Sequence, residues 1–111
     1  MKNNFFGFLG IAAKAGKCLY GSFACEKSVK SGKSKLLIFD CALSQRSRHD
    51  MVNMCVYYKT PYIESEPAYE AGKACGRNGI MTISITDSGF AEKLLELSKC
   101  GGATLGQNSN T

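Results

Sequence analysis

Residues 35–41 read "KLLIFDC", four consecutive apolar residues held between a lysine and an aspartate. A short apolar run with no polar alternation fits a strand buried on both faces, the kind found where helices cover a sheet from two sides. It is the best candidate for a central strand, and helical and strand signals alternate outward from it in both directions. Towards the N-terminus, Ser22 offers a helix N-cap and Gly32 a stop, with Ala24, Val29 and Lys30 between them. Ahead of that helix "CLYG" (18–21) reads as a short strand, and Phe5, Phe6, Leu9, Ala12 and Ala13 recur at helical spacing before an Ala15-Gly16 stop. Towards the C-terminus, Ser44 opens a helix in which Met51, Val52, Cys55 and Val56 form an apolar stripe that ends before Pro61. "PYIE" (61–64) is a short strand. Pro67 marks the start of a helix in which Ala68, Ala71, Gly72 and Cys75 are small enough for close packing against a sheet. After the turn "GRNG" (76–79) comes a second buried strand, "IMTISI" (80–85). Asp87 then caps a last helix with Phe90, Ala91, Leu94, Leu95 and Leu97 on its apolar face.

This order, α-β-α-β-α-β-α-β-α, predicts an α/β protein: a three-layer α/β/α sandwich whose small sheet is mixed or mostly parallel, with helices on both faces. A chain of 111 residues, 44% hydrophobic, is enough for one packed core, so residues 1–100 are expected to form a single domain. Residues 101–111, "GGATLGQNSNT", have no periodicity and are expected to be a disordered tail.

The net charge of +5 is unevenly spread. Up to Lys35 there are seven lysines against one acid, Glu26, and the remainder is slightly acidic. A local basic excess favours a polyanionic partner through counterion release from neutralised phosphates, although a basic but merely soluble protein has the same composition. The six cysteines, Cys18, Cys25, Cys41, Cys55, Cys75 and Cys100, contain no C-x-x-C pair, and His49 is the single histidine. Neither zinc nor any cofactor is therefore expected; the thiols read as reduced, buried residues of a cytoplasmic protein. The N-terminal apolar run is broken by Gly7 and Gly10 and is too short to span a membrane.

Motifs for enzymatic chemistry are sparse and incomplete. "SGKSK" (31–35) has the Gly-Lys-Ser of a phosphate loop, but Lys27 stands where the pattern needs its first glycine, and a helix precedes the segment where a strand is required. His49, in "RSRHD", reads as part of a solvated helix face, with a pairing to Asp50 or a role as a base as the alternatives. Glu64, Glu66 and Glu70 read as charge compensation near a helix N-terminus, with an acid/base role as the alternative. The chain is expected not to be an enzyme. What remains is "YGSFACEK" (20–27), a glycine turn running into a helix start, where unpaired N–H groups and a partial positive charge suit phosphate. Lys14, Lys17, Lys27, Lys30 and Lys33 lie nearby in sequence; a plain capped helix with a solvated lysine face is the competing reading.

Taken in order, "LGIAAKAGKCLYG", "VKSGKSKLLIF", "MCVYYKTPYI", "AYEAGKACGR" and "ITDSGFAEKL" resemble the ribosomal-protein-like family that binds kink-turn RNA, especially its short bacterial YlxQ-type members. The resemblance is colinear from Leu9 to Leu97. It implies an α/β/α sandwich that recognises a kinked RNA helix with tandem sheared G·A pairs, in a ribosomal or other structured noncoding RNA. It implies contact through Gly21–Lys27, through the neighbourhood of Ala42–Arg46 and through Arg77–Ile80. The expected RNA-binding residues are thus Lys14, Lys17, Gly21, Ser22, Phe23, Lys27, Lys30, Arg46, Arg77 and Asn78, on a monomer that has no membrane partner.

The chain departs from the family pattern on the first helical turn, where strongly binding members carry an Asn-Glu pair and this sequence has Phe23 and Ala24. An acidic residue of the loop after the second strand is likewise replaced by Ala42, with Asp40 two positions upstream. Phe23 reads first as a packing or staple residue, with stacking on an extruded base as the alternative. The rival to RNA binding is a protein-interaction module of the same fold that uses the Phe23 surface.

Overall fold

The computed structural model describes residues 4–98 together with the backbone of residues 103–105. The elements are α1 (Phe5–Lys14), β1 (Cys18–Tyr20), α2 (Ser22–Lys30), β2 (Leu36–Asp40), α3 (Gln45–Tyr58), β3 (Tyr62–Ser65), α4 (Glu70–Ala74), β4 (Thr82–Ile85), α5 (Ser88–Ser98) and β5 (Ala103–Leu105). The strands lie in the order β1-β4-β2-β3-β5. All five residues of β2 are buried, as its apolar run requires, and alternate side chains supply two separate cores. Leu36 and Ile38 meet Phe5 and Leu9 of α1, Ala71 of α4 and Leu94 of α5. Leu37 and Phe39 meet Cys25 and Val29 of α2 and Met51 and Cys55 of α3. Three helices therefore cover one face and two the other, which is the expected α/β/α sandwich.

The sheet is mixed, with β2–β3 its parallel pair. The pairs β1–β4 and β2–β4 are antiparallel, because β4 inserts between β1 and β2 and runs against both, and β3–β5 is antiparallel as well. A polar seam fixes α2 on this sheet. The Ser84 hydroxyl of β4 lies 2.8 Å from that of Ser28 and 2.8 Å from that of Ser34, and all three residues are buried. Hydroxyls buried together satisfy one another, so a helix with few apolar residues can dock without leaving unpaired groups.

Two helix starts differ from expectation. Ser22 is the first residue of α2, and the N-cap is Gly21, which makes no side-chain cap. The helix expected from Pro67 starts at Glu70: the Tyr69 N–H donates to the Asp40 carboxylate (2.7 Å) and Tyr69 has φ 65, so residues 67–69 turn and Ala68 lies outside the helix. The Ser44 and Asp87 caps form as expected, accepting from the N–H groups of Ser47 (3.2 Å) and Phe90 (2.9 Å). Within the segment expected to be a disordered tail, Ala103–Leu105 pair with β3; the rest of that segment lies outside the described residues, as does Cys100.

The antiparallel pairing has one consequence for the loops. β1 and β2 end where β4 begins, with Tyr20 opposite Ile83 and Phe39 opposite Thr82. The chain leaving β1, the chain leaving β2 and the chain entering β4 are thereby gathered at one end of the sheet.

Candidate nucleic-acid interface

The first component is the start of α2. Gly21 has φ 92 and ψ 156, a conformation that side chains resist. Its N–H donates to the Thr82 carbonyl (3.1 Å), and its own carbonyl accepts from the Cys25 N–H (3.0 Å). The N–H groups of Ser22, Phe23 and Ala24 precede that first helical bond and face outward with the positive end of the helix dipole. A Cβ added at Gly21 would meet nothing within 4 Å, so the approach to these groups is open. Phe23 is 78% exposed, which overturns the packing reading: its ring stands free of the core, with the Lys27 ammonium 6.0 Å from its centroid. Further along the helix, Lys30 forms an ion pair with Glu26 (2.8 Å), and the hydrogen bond to that carboxylate raises the lysine pKa. Phe23, Glu26, Lys27 and Lys30 line one open cleft of about 320 Å³.

The second component is the loop after β2. The buried Asp40 carboxylate accepts from the Ala42 N–H (2.9 Å) with one oxygen and from the Tyr69 N–H with the other. It ties this loop to the β3–α4 turn and is not a surface group. Arg48 supports the loop from α3: its guanidinium donates to the Cys41 carbonyl (3.0 Å) and the Leu43 carbonyl (3.4 Å) and pairs with Glu64 (2.9 Å). Arg46, on the first turn of α3, is exposed.

The third component is the segment before β4. It lies close on α4 because Gly72 has no side chain: a Cβ there would stand 2.7 Å from the Ile80 carbonyl and 2.8 Å from that of Arg77. The Arg77 N–H donates to the Gly72 carbonyl (2.8 Å), and the Arg77 guanidinium sits 4.4 Å from the centroid of the Tyr20 ring. Asn78 is exposed beside it. Lys14, Tyr20, Lys73 and Arg77 share the walls of an open cavity of about 280 Å³.

Of the residues singled out in the sequence, Gly21, Ser22, Phe23, Lys27, Arg46, Arg77 and Asn78 belong to segments gathered at one end of the sheet, and Lys14 borders it. Lys30 lies further along α2 and is engaged by Glu26. Lys17 lies at the opposite end, where its carbonyl accepts from the Thr86 N–H beyond the last residue of β4 (2.9 Å). Sequence reasoning missed Tyr20 as the platform under Arg77, Asp40 as the tie between two loops and Arg48 as a support. Tyr20 and Arg77 become neighbours through strand register and the Gly72 contact, and no local pattern signals that. Glu64, read as helix-terminal compensation, is the partner of Arg48 instead. His49 is exposed and lies 3.1 Å from the Asn53 amide. Among the described residues, no group of three or more His, Cys, Asp or Glu side chains could hold a metal ion, and no helix is long and apolar enough to cross a membrane.

No family model matches the chain. It is similar to the RNA-binding protein YlxQ of Bacillus subtilis, with 30% identity over 92 residues, covering 83% of this chain and 92% of the relative. It is also similar to the large ribosomal subunit protein eL30 of Sulfurisphaera tokodaii, with 34% identity over 86 residues, 76% of this chain and 81% of the relative. Among solved structures, a protein of unknown function from Bacillus halodurans superposes with a TM-score of 0.84 at 26% identity, covering 88% of this chain and 99% of the other.

Proposed function

The chain belongs to the L7Ae/L30e family of kink-turn RNA-binding proteins, and from that premise we propose that it is a non-enzymatic protein that binds a structured, kink-turn-like RNA, with the ribosome as its setting. The observation that carries this reading is the gathering of the Gly21–Lys27, 42–46 and 77–80 segments at one end of the sheet. The names of two relatives, one for RNA binding and one for the large ribosomal subunit, support the class of partner.

The division of labour follows from the chemistry of each group. The free N–H groups of Ser22, Phe23 and Ala24, with Lys27, Lys14 and Arg77, hold phosphates. Asn78 and Arg46 extend the contact from the neighbouring loops. The exposed Phe23 ring stacks on an unpaired base, the use that single-stranded or extruded nucleotides make of aromatic side chains. Guanine edges lose their polar readers, because Phe23 and Ala24 stand where the resemblance implies an Asn-Glu pair. Each such base contact is worth about 1–3 kcal/mol, whereas the phosphate contribution survives.

The test is a competition of a kink-turn RNA against a straight duplex at fixed salt. The expected result is binding to both, with a preference for the kink-turn within about tenfold, and a larger preference after Phe23→Asn with Ala24→Glu. A preference of about a thousandfold in the natural protein overturns the account of the first turn of α2. Failure to bind either RNA at micromolar protein and low salt overturns RNA binding itself and leaves the Phe23 surface to a protein partner.

A further inference from the structure

The segment "SGKSK" (31–35), which takes no part in the interface around Gly21, lies at the other end of the sheet together with the turn out of α3. β2 and β3 run parallel with Leu37 opposite Tyr62, and the Leu37 N–H donates to the Pro61 carbonyl (2.9 Å). The loops that feed these two strands, 31–35 and 59–61, are therefore neighbours, one interstrand spacing apart. Lys33 and Lys35 flank the buried Ser34 and are both exposed, as is Lys59. The Lys35 ammonium donates to the Gly32 carbonyl at 3.5 Å, and among the described residues none of the three lysines is in an ion pair. Lys59 caps α3 with φ 59 and ψ 39, the left-handed conformation that glycine or asparagine adopts more readily. Where a glycine would sit with less strain, the chain places a cation. Just before it stand Tyr57 and Tyr58, both exposed, Tyr57 by 77%, with ring centroids 4.8 Å apart. Met54 walls a cleft with Glu26 and Lys30 of α2, and Tyr58 follows Met54 by one turn, so it lies on the side of α3 that faces α2. We propose that this end of the molecule is a second RNA-binding surface, one that takes an unpaired strand, with bases stacked on Tyr57 and Tyr58 and phosphates along Lys33, Lys35 and Lys59.

Charge selects the class of partner. The loops at this end, 15–17, 31–35, 59–61 and 86–87, carry Lys17, Lys33, Lys35 and Lys59 against the single acid Asp87, whose carboxylate accepts from the Phe90 N–H (2.9 Å). Lysines alone attract any polyanion by counterion release. The tyrosines narrow the choice, because the bases of a duplex are stacked on one another and offer no free face, whereas those of an unpaired strand do. A kink-turn held at the Gly21 end leaves this surface open, so one molecule joins a folded RNA element to a single-stranded one. Charge and stacking stand without the function proposed above; the choice of RNA over DNA rests on it.

The test follows a labelled oligouridylate of about twelve nucleotides by fluorescence anisotropy. Two forms of the full chain silence the other end: the natural protein saturated with unlabelled kink-turn RNA, and the Phe23→Ala, Lys27→Ala double variant alone. Both should bind the oligouridylate, and more tightly than an RNA duplex with the same number of phosphates. Adding Lys33→Gln, Lys35→Gln and Lys59→Asn should lower the slope of log affinity against log salt by about two units, at about 0.7 per single-strand phosphate contact. Tyr57→Ala should weaken binding about tenfold with the slope unchanged, and Tyr57→Phe should restore it. Displacement of the oligouridylate by the kink-turn, binding that survives the lysine and tyrosine substitutions, or binding no tighter than that of the duplex overturns the proposal. Tighter binding of the matching oligodeoxythymidylate overturns the choice of RNA. Failure of the kink-turn RNA to bind counts against the function proposed above, and the double variant still decides this one.

Discussion

At Gly21 the backbone takes a conformation that a β-carbon opposes although nothing crowds the position, so the penalty of substitution is one of dihedral strain alone. Gly21→Ala should therefore cost about 1–3 kcal/mol, read as a lower urea midpoint with an unchanged m-value. Asp40 presents the opposite case, a buried charge whose two oxygens are each committed to a backbone N–H. Hydrogen bonds to charged acceptors contribute about 1.5–3 kcal/mol each, so Asp40→Ala should destabilise by several kcal/mol. Asp40→Asn, which keeps an acceptor for one of the two N–H groups, should cost less, and the ranking of the two urea midpoints checks the assignment. This role was hidden in the sequence because an aspartate ending an apolar run looks like the solvated end of a strand. Its second partner, Tyr69, becomes a neighbour only through tertiary contact.

Among the elements, β2 was the most legible, since four apolar residues in succession have no other comfortable place than between two helical layers. The Ser44 and Asp87 caps were legible for a similar reason: the cap is a local bond that the chain makes with itself. Pro67 misled because it is compatible with a helix start, while the left-handed Tyr69 and its bond to Asp40 come from outside the local sequence. The lysines were legible as a group and not as individuals. Lys27 lies one turn from Phe23 at the start of α2, while Lys17 stands at the far end of the sheet. Lys27→Ala should lower the slope of log affinity for structured RNA against log salt by about one unit, and Lys17→Ala should leave that slope unchanged. Titrating both variants with salt in parallel checks the placement, and equal slope changes would contradict it. The α2–α3 layer makes a separate expectation about pH. The thiols of Cys25 and Cys55 ordinarily ionise near 9.0 and are pushed up to about 11 and about 12 by burial. Their contribution to stability is fully present below the unfolded value and is lost as pH rises from there towards the folded values. Urea stability should hold up to pH 9 and then fall by up to about 1.4 kcal/mol per pH unit for each thiol, and Cys55→Val should flatten the descent.

For the molecule as a whole, the strand order matters more than the inventory of strands, and it was the part of the fold least open to sequence reasoning. Nothing in "IMTISI" says that it lies between β1 and β2, because a buried strand pairs equally well in either direction. That placement gives β4 an office at the pole where the loops meet. The carbonyls at its start reach both ways, that of Thr82, its first residue, to the amide of Gly21 and that of Met81, just before it, to the amide of Asp40. The two loops are thus mounted on opposite sides of a single strand, about 10 Å apart, two interstrand spacings. Such a mounting behaves as a fixed-width gauge. A partner that grips both sides cannot widen or narrow it without shearing the sheet, so whatever bending the encounter requires is borne by the partner.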